Sequence, residues 1–172
     1  MEAYAVLDSS ATKSLGASAN MSMTLANHPS LAKAFYTLGR HLLLDSSVPH
    51  RLRELVTLRV AIRVKSEYEW YHHVRFGKRI GLTDAEIEAI RLGAEAPNWA
   101  DDERAVLRCV DDLLDRNRIE DATWRDLNRA LDRRQVMDLV ATIGNYVMTS
   151  WLIAGFGVAI EPGFEDADHP LG

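Results

Sequence analysis

The chain has 172 residues, 47% of them hydrophobic, which is enough for one domain with a substantial core. Its net charge of -5 disfavours a nucleic-acid partner, because proteins that bind the phosphate backbone usually carry a basic face. A single cysteine, Cys109, excludes an internal disulfide framework and favours a reducing compartment. No charged-then-apolar leader follows Met1 and no apolar run reaches about 18 residues, so we expect no membrane span and a cytoplasmic location.

Helical periodicity dominates the chain from Met21 onward. Residues 1–20 are rich in serine and alanine and predict a loosely held arm, residues 21–160 predict a single helical domain, and residues 161–172 predict a C-terminal tail. None of the segments shows the alternation of a strand, so the sequence predicts an all-α fold. The predicted helices cover about 21–42 with a break at 28–30, then 49–64, 66–80, 83–92, 100–115, 121–131 and 132–156.

The helix that follows the break at Lys65-Ser66 carries an unusual mixture of side chains on one face. Ser66, Glu69, Trp70 and His73 occur at i, i+3, i+4 and i+7, so a hydroxyl, a carboxylate, an indole and an imidazole share that face. A carboxylate one turn from a histidine can orient it for proton exchange with a bound ligand. This helix is therefore the predicted centre of the chemistry.

The last predicted helix is apolar on nearly all sides, which indicates burial in a bundle or against another subunit. Asn145 and Tyr146 are its notable polar residues, and buried groups of this kind need partners. So much apolar surface would exceed the patch normally tolerated on a monomer. We therefore expect a homo-oligomer.

A set of motif residues resembles a known family. Glu54, the run Ser66-Glu67-Tyr68-Glu69, His73, the run Gly81-Leu82-Thr83 and the pair Glu86-Ile87 resemble the carboxymuconolactone decarboxylase and alkylhydroperoxidase D-like family. The resemblance covers about residues 31–158 and implies an alkylhydroperoxidase D-like helical bundle, assembled as a trimer or hexamer.

The resemblance also implies roles for individual residues. The peroxidase branch follows a glutamate with a Cys-x-x-Cys-x-x-x-His segment, and here Glu54 and His73 take the proton-relay positions while Ser66 and Glu69 replace the two cysteines. A thiol peroxidase is therefore not expected. In the decarboxylase branch a glutamate precedes a histidine by four residues, which Glu69 and His73 match.

Purely structural interpretations are also possible for these residues. Glu69 and His73 could form an ordinary surface ion pair, worth about 0.3–0.5 kcal/mol, and Glu54 could pair with Arg51 three residues earlier. Ser66 could cap its helix, with Glu69 completing a Ser-x-x-Glu capping box. A metal site at His72 and His73 is not expected, because adjacent helical residues point about 100° apart.

We expect a cofactor-independent enzyme that performs acid/base chemistry, such as a decarboxylation or a related lyase or isomerase step, on a small organic acid or lactone. The expected catalytic residues are His73, Glu69 and Glu54, converging on one partly buried pocket. A ligand-binding or assembly protein without catalysis is the alternative. The candidate substrate-binding residues are Ser66, Tyr68, Trp70, His72 and Tyr146.

Overall fold

The computed structural model describes residues 19–164 and 170–171, and these ranges contain helices and turns but no strand. The predicted all-α fold is thereby confirmed. The expected N-terminal arm lies almost wholly outside the described residues, as does the middle of the expected tail. The helices are α1 Ala19–Leu25, α2 Pro29–Arg40, α3 His50–Arg63, α4 Glu67–Arg79, α5 Asp84–Leu92, α6 Asp101–Arg116, α7 Asp121–Ala130 and α8 Arg133–Phe156.

Helix α3 is the centre of the bundle. Every residue from Leu52 to Ala61 is buried, and the helix packs against α4, α6 and α8. A helix enclosed on all sides would ordinarily be apolar, yet this stretch includes Arg53, Glu54 and Arg59. Charged groups in such a place need partners. Arg53 and Glu54 find theirs among the residues of the candidate site.

The breaks between helices follow the local signals in the sequence. Lys65 adopts a left-handed conformation (φ 56°) between α3 and α4, and Gly81 does so (φ 95°) after α4. Thr83 and Asp132 cap α5 and α8 in reciprocal capping boxes with Glu86 and Gln135. These caps fix where α5 and α8 begin.

The helical structure that begins with α2 does not end at Arg40. Its chain continues without a turn into a π-helical segment, His41–Asp45, which places Leu42 in the buried core. This segment leads to α3 and supplies backbone carbonyls to the candidate site. Wide helical turns of this kind occur frequently at functional sites.

By length and composition alone, α8 could cross a membrane. Its most apolar 18-residue window has a mean hydropathy of 1.4, and 39% of that window is buried in the fold. A core helix passes the same test, so this is weak evidence for a span. In this fold α8 packs against α3 and α4 and contributes side chains to the candidate site.

Candidate active site

Helices α3 and α4 bring together the three residues of the predicted site. Glu54 lies on α3, and Glu69 and His73 lie one turn apart on α4, which packs closely against α3. All three side chains are buried, with 3%, 6% and 7% of each residue exposed. The interpretation of Glu69 and His73 as a surface ion pair therefore does not fit the structure.

His73 lies between the two carboxylates. Its Nδ1 is 2.6 Å from Oε2 of Glu54, and its Nε2 is 3.5 Å from Oε2 of Glu69. The short contact joins different helices, while the longer one follows the i, i+4 spacing within α4. Both nitrogens of one buried imidazole thus face carboxylate oxygens.

Burial and the neighbouring charges shift the pKa values of His73, Glu69 and Tyr146. Burial alone would lower the pKa of His73, but the charge of Glu54 and its hydrogen bond, together with the charge of Glu69, raise that pKa above its ordinary value. Burial raises the pKa of Glu69 to about 6, against the opposing effect of His73. Burial also raises the pKa of Tyr146, which therefore stays protonated. Near neutral pH the site can hold an imidazolium beside an ionised Glu69.

Arg53 lies beside the carboxylate oxygen of Glu54 that His73 does not contact. Its Nε is 3.6 Å from Oε1 of Glu54, and its Nη1 donates a hydrogen bond of 2.8 Å to the carbonyl of Leu43. Its Nη2 donates to Nδ1 of His50 at 2.8 Å. The guanidinium thus fixes Glu54 by charge while the π-helical segment fixes the guanidinium. The alternative pair of Glu54 with Arg51 does not form, because Arg51 bonds to Glu86 and Glu103.

A cavity of about 150 Å³ opens beside this group. Its apolar and aromatic wall comes mainly from α1, α2 and the π-helical segment, and its polar wall comes mainly from α4 and α8. The apolar wall includes Met21, Phe35, Tyr36, Leu42, Leu43 and Phe76. The polar wall includes Arg53, Tyr68, Glu69, His72, His73, Asn145 and Tyr146.

Glu54 is set behind His73 as seen from this cavity. It lines a second, larger cavity of about 420 Å³, together with His50 and Arg79. His73 and Tyr146 line both cavities, and their rings meet edge to face with centroids 4.9 Å apart. Glu54 can therefore act on a ligand in the first cavity only through His73, whereas Glu69 faces that ligand directly.

His72 has partners of its own, separate from those of His73. Its Nδ1 donates a hydrogen bond to the carbonyl of Tyr68, since a carbonyl can only accept, and its Nε2 lies 3.1 Å from Oε2 of Glu161. Burial lowers the pKa of His72, so its neutral form is favoured. Within the described ranges, no group of three or more His, Cys, Asp or Glu side chains is arranged to hold a metal ion.

Two predicted substrate contacts, Ser66 and Trp70, lie away from the cavity. Trp70 is fully buried in the main core, with the guanidinium of Arg91 4.7 Å from its ring centroid. Ser66 lines a separate surface groove beside α8. The predicted capping box of Ser66 with Glu69 is also wrong: the Ser66 side chain makes no capping bond, and Glu69 is turned toward His73.

Sequence reasoning missed several residues of the cavity wall. Arg53 carried a signal, because it stands next to Glu54 in a helix otherwise buried all round. Asn145 stood out as a polar residue in an apolar helix, and its Oδ1 is buried without a hydrogen-bond partner in the described structure. Met21 and Phe35 carried none, since apolar residues of a core and of a cavity wall look alike in sequence.

Cys109 is remote from this group. It is fully buried in the main core on α6, and burial raises the pKa of its thiol to about 12. A thiol with so high a pKa is not a nucleophile at neutral pH. Cys109 therefore takes no place in the chemistry of the cavity.

Part of the chain matches a known protein family. Residues 29–112 match the model of the carboxymuconolactone decarboxylase family, a segment that holds Glu54, Glu69 and His73. None of the curated proteins matches the chain in sequence.

Three solved structures illustrate the similarity in fold. A variant of the debrominase Bmp8, in complex with 2,3,4-tribromopyrrole, has 17% identity and a TM-score of 0.79, covering 95% of this chain and 87% of that one. ATU0492 of Agrobacterium tumefaciens, a putative antioxidant defence protein AhpD, has 20% identity and a TM-score of 0.72, covering 79% and 94%. A peroxidase-related protein of Ralstonia eutropha JMP134 with an alkylhydroperoxidase AhpD core has 15% identity and a TM-score of 0.72, covering 82% and 76%.

The family predicted from the motif residues is thereby confirmed: the chain carries a carboxymuconolactone decarboxylase family segment over residues 29–112, within an AhpD-like all-helical fold.

Proposed function

We propose that this protein is an enzyme that moves protons on a small organic acid or lactone, in a decarboxylation or a related lyase or isomerase step. The observation that carries the proposal is a buried histidine held between two carboxylates at the wall of a cavity. A helix scaffold has no use for such a group, because apolar side chains usually stabilise a core at least as well as a buried, paired ionic cluster.

The environments of Glu69 and His73 suit them to opposite roles. Glu69 faces the cavity with a pKa of about 6, so near neutral pH it is a carboxylate that can take a proton from a carbon next to a carbonyl. His73, whose pKa is raised, is an imidazolium that can give a proton from Nε2 to the developing enolate. In a decarboxylation the same Nε2 proton goes to the carbon that loses carbon dioxide.

The size of the cavity limits the substrate. A cavity of ~150 Å³ accepts a molecule the size of benzene, so we infer a substrate with one ring or a chain of similar volume. The amide of Asn145, which is 8% exposed, can pair with a polar group of such a ligand. Arg53 places a positive charge at the wall, which favours an acidic substrate or an oxyanion.

Turnover of a panel of one-ring lactones and enolisable carboxylic acids tests this proposal. His73→Ala should lower kcat/KM by ~10²–10⁴-fold, the range for the loss of one general acid or base, with the circular dichroism spectrum unchanged. Glu69→Gln should lower it by ~10²-fold. The panel should include a brominated pyrrole, because one structural neighbour is a debrominase.

His41 provides the matched control. It is exposed and pairs with Asp138 at 3.0 Å, outside the cavity wall, so His41→Ala should leave kcat/KM unchanged. Equal losses in His41→Ala and His73→Ala would contradict the proposal. A His73→Ala protein that no longer folds would make His73 a packing residue.

We also propose that the protein self-associates through α8. The exposed positions along its outer face carry no charge and follow one another at intervals of 4, 3, 4, 3 and 4 residues, which is the spacing of a coiled-coil seam. These positions are Met137, Ala141, Gly144, Met148, Trp151 and Gly155. In an antiparallel pair centred on this seam, Trp151 of one copy would lie opposite Ala141 of the other and Met148 opposite Gly144, so large residues would meet small ones. We propose, separately, that the protein is cytoplasmic. The free, buried Cys109 supports this location.

A further inference from the structure

Helix α1 closes one side of the cavity, where Met21 and Leu25 pack in a small apolar cluster with Tyr68 and Ile153. Met21 and Ser22 line the cavity and are 4% and 7% exposed. The helix has seven residues, too few to be stable alone, and its main helix contact is with α2. Short helices at the edge of a bundle are among the elements that open locally and admit ligands.

The carboxylate of Glu161 ties the N-terminal end of α1 to the site helix. Oε1 of Glu161 accepts a hydrogen bond from the backbone N–H of Asn20 and another from the hydroxyl of Tyr68, both 2.9 Å long. The side chain of Asn20 adds a bond to the carbonyl of Ala159 at 2.9 Å. One carboxylate therefore joins α1, α4 and the segment after α8.

A stack of side chains presses that segment against α4. The ring of Phe164 lies on His72 at 4.4 Å, and His72 lies on Tyr68 at 4.4 Å. The guanidinium of Arg75 covers the other face of Phe164 at 4.3 Å and donates a bond to the carbonyl of Gly163. Tyr68 and His72 also line the cavity, so the segment contacts the back of the cavity wall.

One contact in this arrangement is incomplete. Because Nδ1 of His72 gives its hydrogen to Tyr68, neutral His72 has a bare Nε2, and that atom faces Oε2 of Glu161 at 3.1 Å. Both atoms are buried, and neither makes a hydrogen bond within the described structure. Two acceptors in contact repel each other, so the tie at Glu161 is weaker than a carboxylate with all its partners would be.

We propose that Glu161 is a positioning residue that latches α1 over the cavity, and that release of this latch exposes the cavity to ligands. The latch concerns access to the cavity used in the proposed function, but its test needs no turnover. If the proposed chemistry is wrong, the latch proposal is unaffected. If the latch proposal is wrong, the proposed chemistry is unaffected.

Two substitutions of Glu161 should have opposite effects. Glu161→Ala removes the acceptor of Asn20 and Tyr68 and should open the latch. Glu161→Gln keeps an acceptor oxygen for those two donors and offers its amide N–H to Nε2 of His72, which completes the unpaired contact. A simple loss of negative charge would instead make the two variants behave alike.

Labelling of a cysteine placed in the cavity wall measures the opening. Ser22→Cys puts a thiol on α1, and iodoacetamide reports its exposure, while native Cys109 stays unreactive because it is fully buried. In this background Glu161→Ala should speed labelling by ~10–100-fold, the range for losing hydrogen bonds to a charged group. Glu161→Gln should label no faster than the Ser22→Cys parent.

Glu67→Ala is the control, because Glu67 is an exposed carboxylate at the start of α4. It should leave the labelling rate unchanged. Equal rates in Glu161→Ala and the parent would overturn the proposal, as would Glu161→Gln labelling as fast as Glu161→Ala. If Glu161→Ala does not fold, faster labelling of Glu161→Gln than of the parent would overturn it.

Discussion

At the scale of single residues, the chemistry depends on how one buried imidazole is shared. Glu54 holds Nδ1 of His73 at 2.6 Å, and Glu69 stands 3.5 Å from Nε2 on the cavity side. The near partner stabilises the imidazolium, while the far partner remains available to a ligand. The unequal distances therefore separate an orienting carboxylate from a reacting one.

This division of roles predicts the pH dependence of turnover. Activity should rise with pH as Glu69 ionises at about 6 and fall at higher pH as His73 loses its proton, above the ordinary histidine pKa because that pKa is raised. The two limbs belong to a coupled group. The dependence of kcat/KM on pH measures both.

Two variants separate the limbs of that profile. Glu69→Gln should remove the acid limb, because an amide does not titrate. Glu54→Gln should move the alkaline limb to lower pH, because His73 loses the partner that raises its pKa most. A profile that keeps both limbs in place in both variants would contradict these roles.

A second prediction at this scale concerns redox chemistry. The protein should not turn over peroxide with a dithiol reductant, because Cys109 is buried with a pKa of about 12 and has no second cysteine to resolve a disulfide. A peroxidase assay coupled to dithiol consumption measures this. Peroxide turnover abolished by Cys109→Ser would contradict the prediction.

Only some contacts of the candidate site could be predicted from the sequence. Glu69 and His73 were predictable as neighbours, because the i, i+4 spacing fixes their distance along one helix. The hydrogen bond that Nδ1 of His73 donates to Glu54 was not, since it depends on how closely α4 packs against α3. Glu161 could not be found at all: it lies 89 residues beyond His72 in the chain, and nothing local marks it.

At the scale of elements, helical periodicity predicted the order and most of the bounds. The capping boxes of Thr83 and Asp132 formed as their spacing indicates, because both lie on exposed turns. Ser66 carries the same kind of signal but is buried, and its hydroxyl bonds to no first-turn N–H. Packing of α4 on α3 turned Glu69 away from the cap, and tertiary contacts of that kind lie beyond local spacing.

The turn after α5 gives a test of packing between elements. Gly93 has φ 72°, and a Cβ there would lie 2.6 Å from Nη2 of Arg59. Arg59 cannot move aside, since it is buried and bonds to Asp111 at 2.9 and 3.0 Å. Gly93→Ala should therefore lower the free energy of unfolding by ~3 kcal/mol, from backbone strain and a displaced ion pair.

Gly39 is the control for that substitution. It lies within α2, and a Cβ there would meet nothing within 4 Å. Gly39→Ala should raise the free energy of unfolding by ~0.5–1 kcal/mol, as expected for replacing a helical glycine. Urea unfolding curves of both variants measure the difference. Equal effects would show that Arg59 yields to the added methyl group.

At the scale of the whole molecule, the outer face of α8 should decide the state of assembly. Trp151 is 70% exposed and Met137 is 66% exposed, although both are large apolar residues. An exposed apolar surface of this extent usually marks an interaction site. The charge introduced by Trp151→Glu should dissociate the oligomer, which analytical ultracentrifugation at micromolar concentration would detect.

Trp124 provides the comparison for that variant. It is 45% exposed on α7, away from the outer face of α8, so Trp124→Glu should leave the assembly unchanged. A monomeric wild-type protein would contradict self-association. Binding of the wild-type protein to lipid vesicles would assign the outer face of α8 to a membrane instead.

Titration of the imidazole by nuclear magnetic resonance tests most directly whether His73 holds a proton between Glu54 and Glu69. With ¹⁵N-labelled histidine, both ring nitrogens of His73 should give imidazolium shifts at pH 7, and the proton should leave only above the ordinary pKa of 6.5. Glu54→Gln should lower that pKa. A His73 that is neutral at pH 7 in the wild-type protein, or whose pKa does not change in Glu54→Gln, would contradict the account.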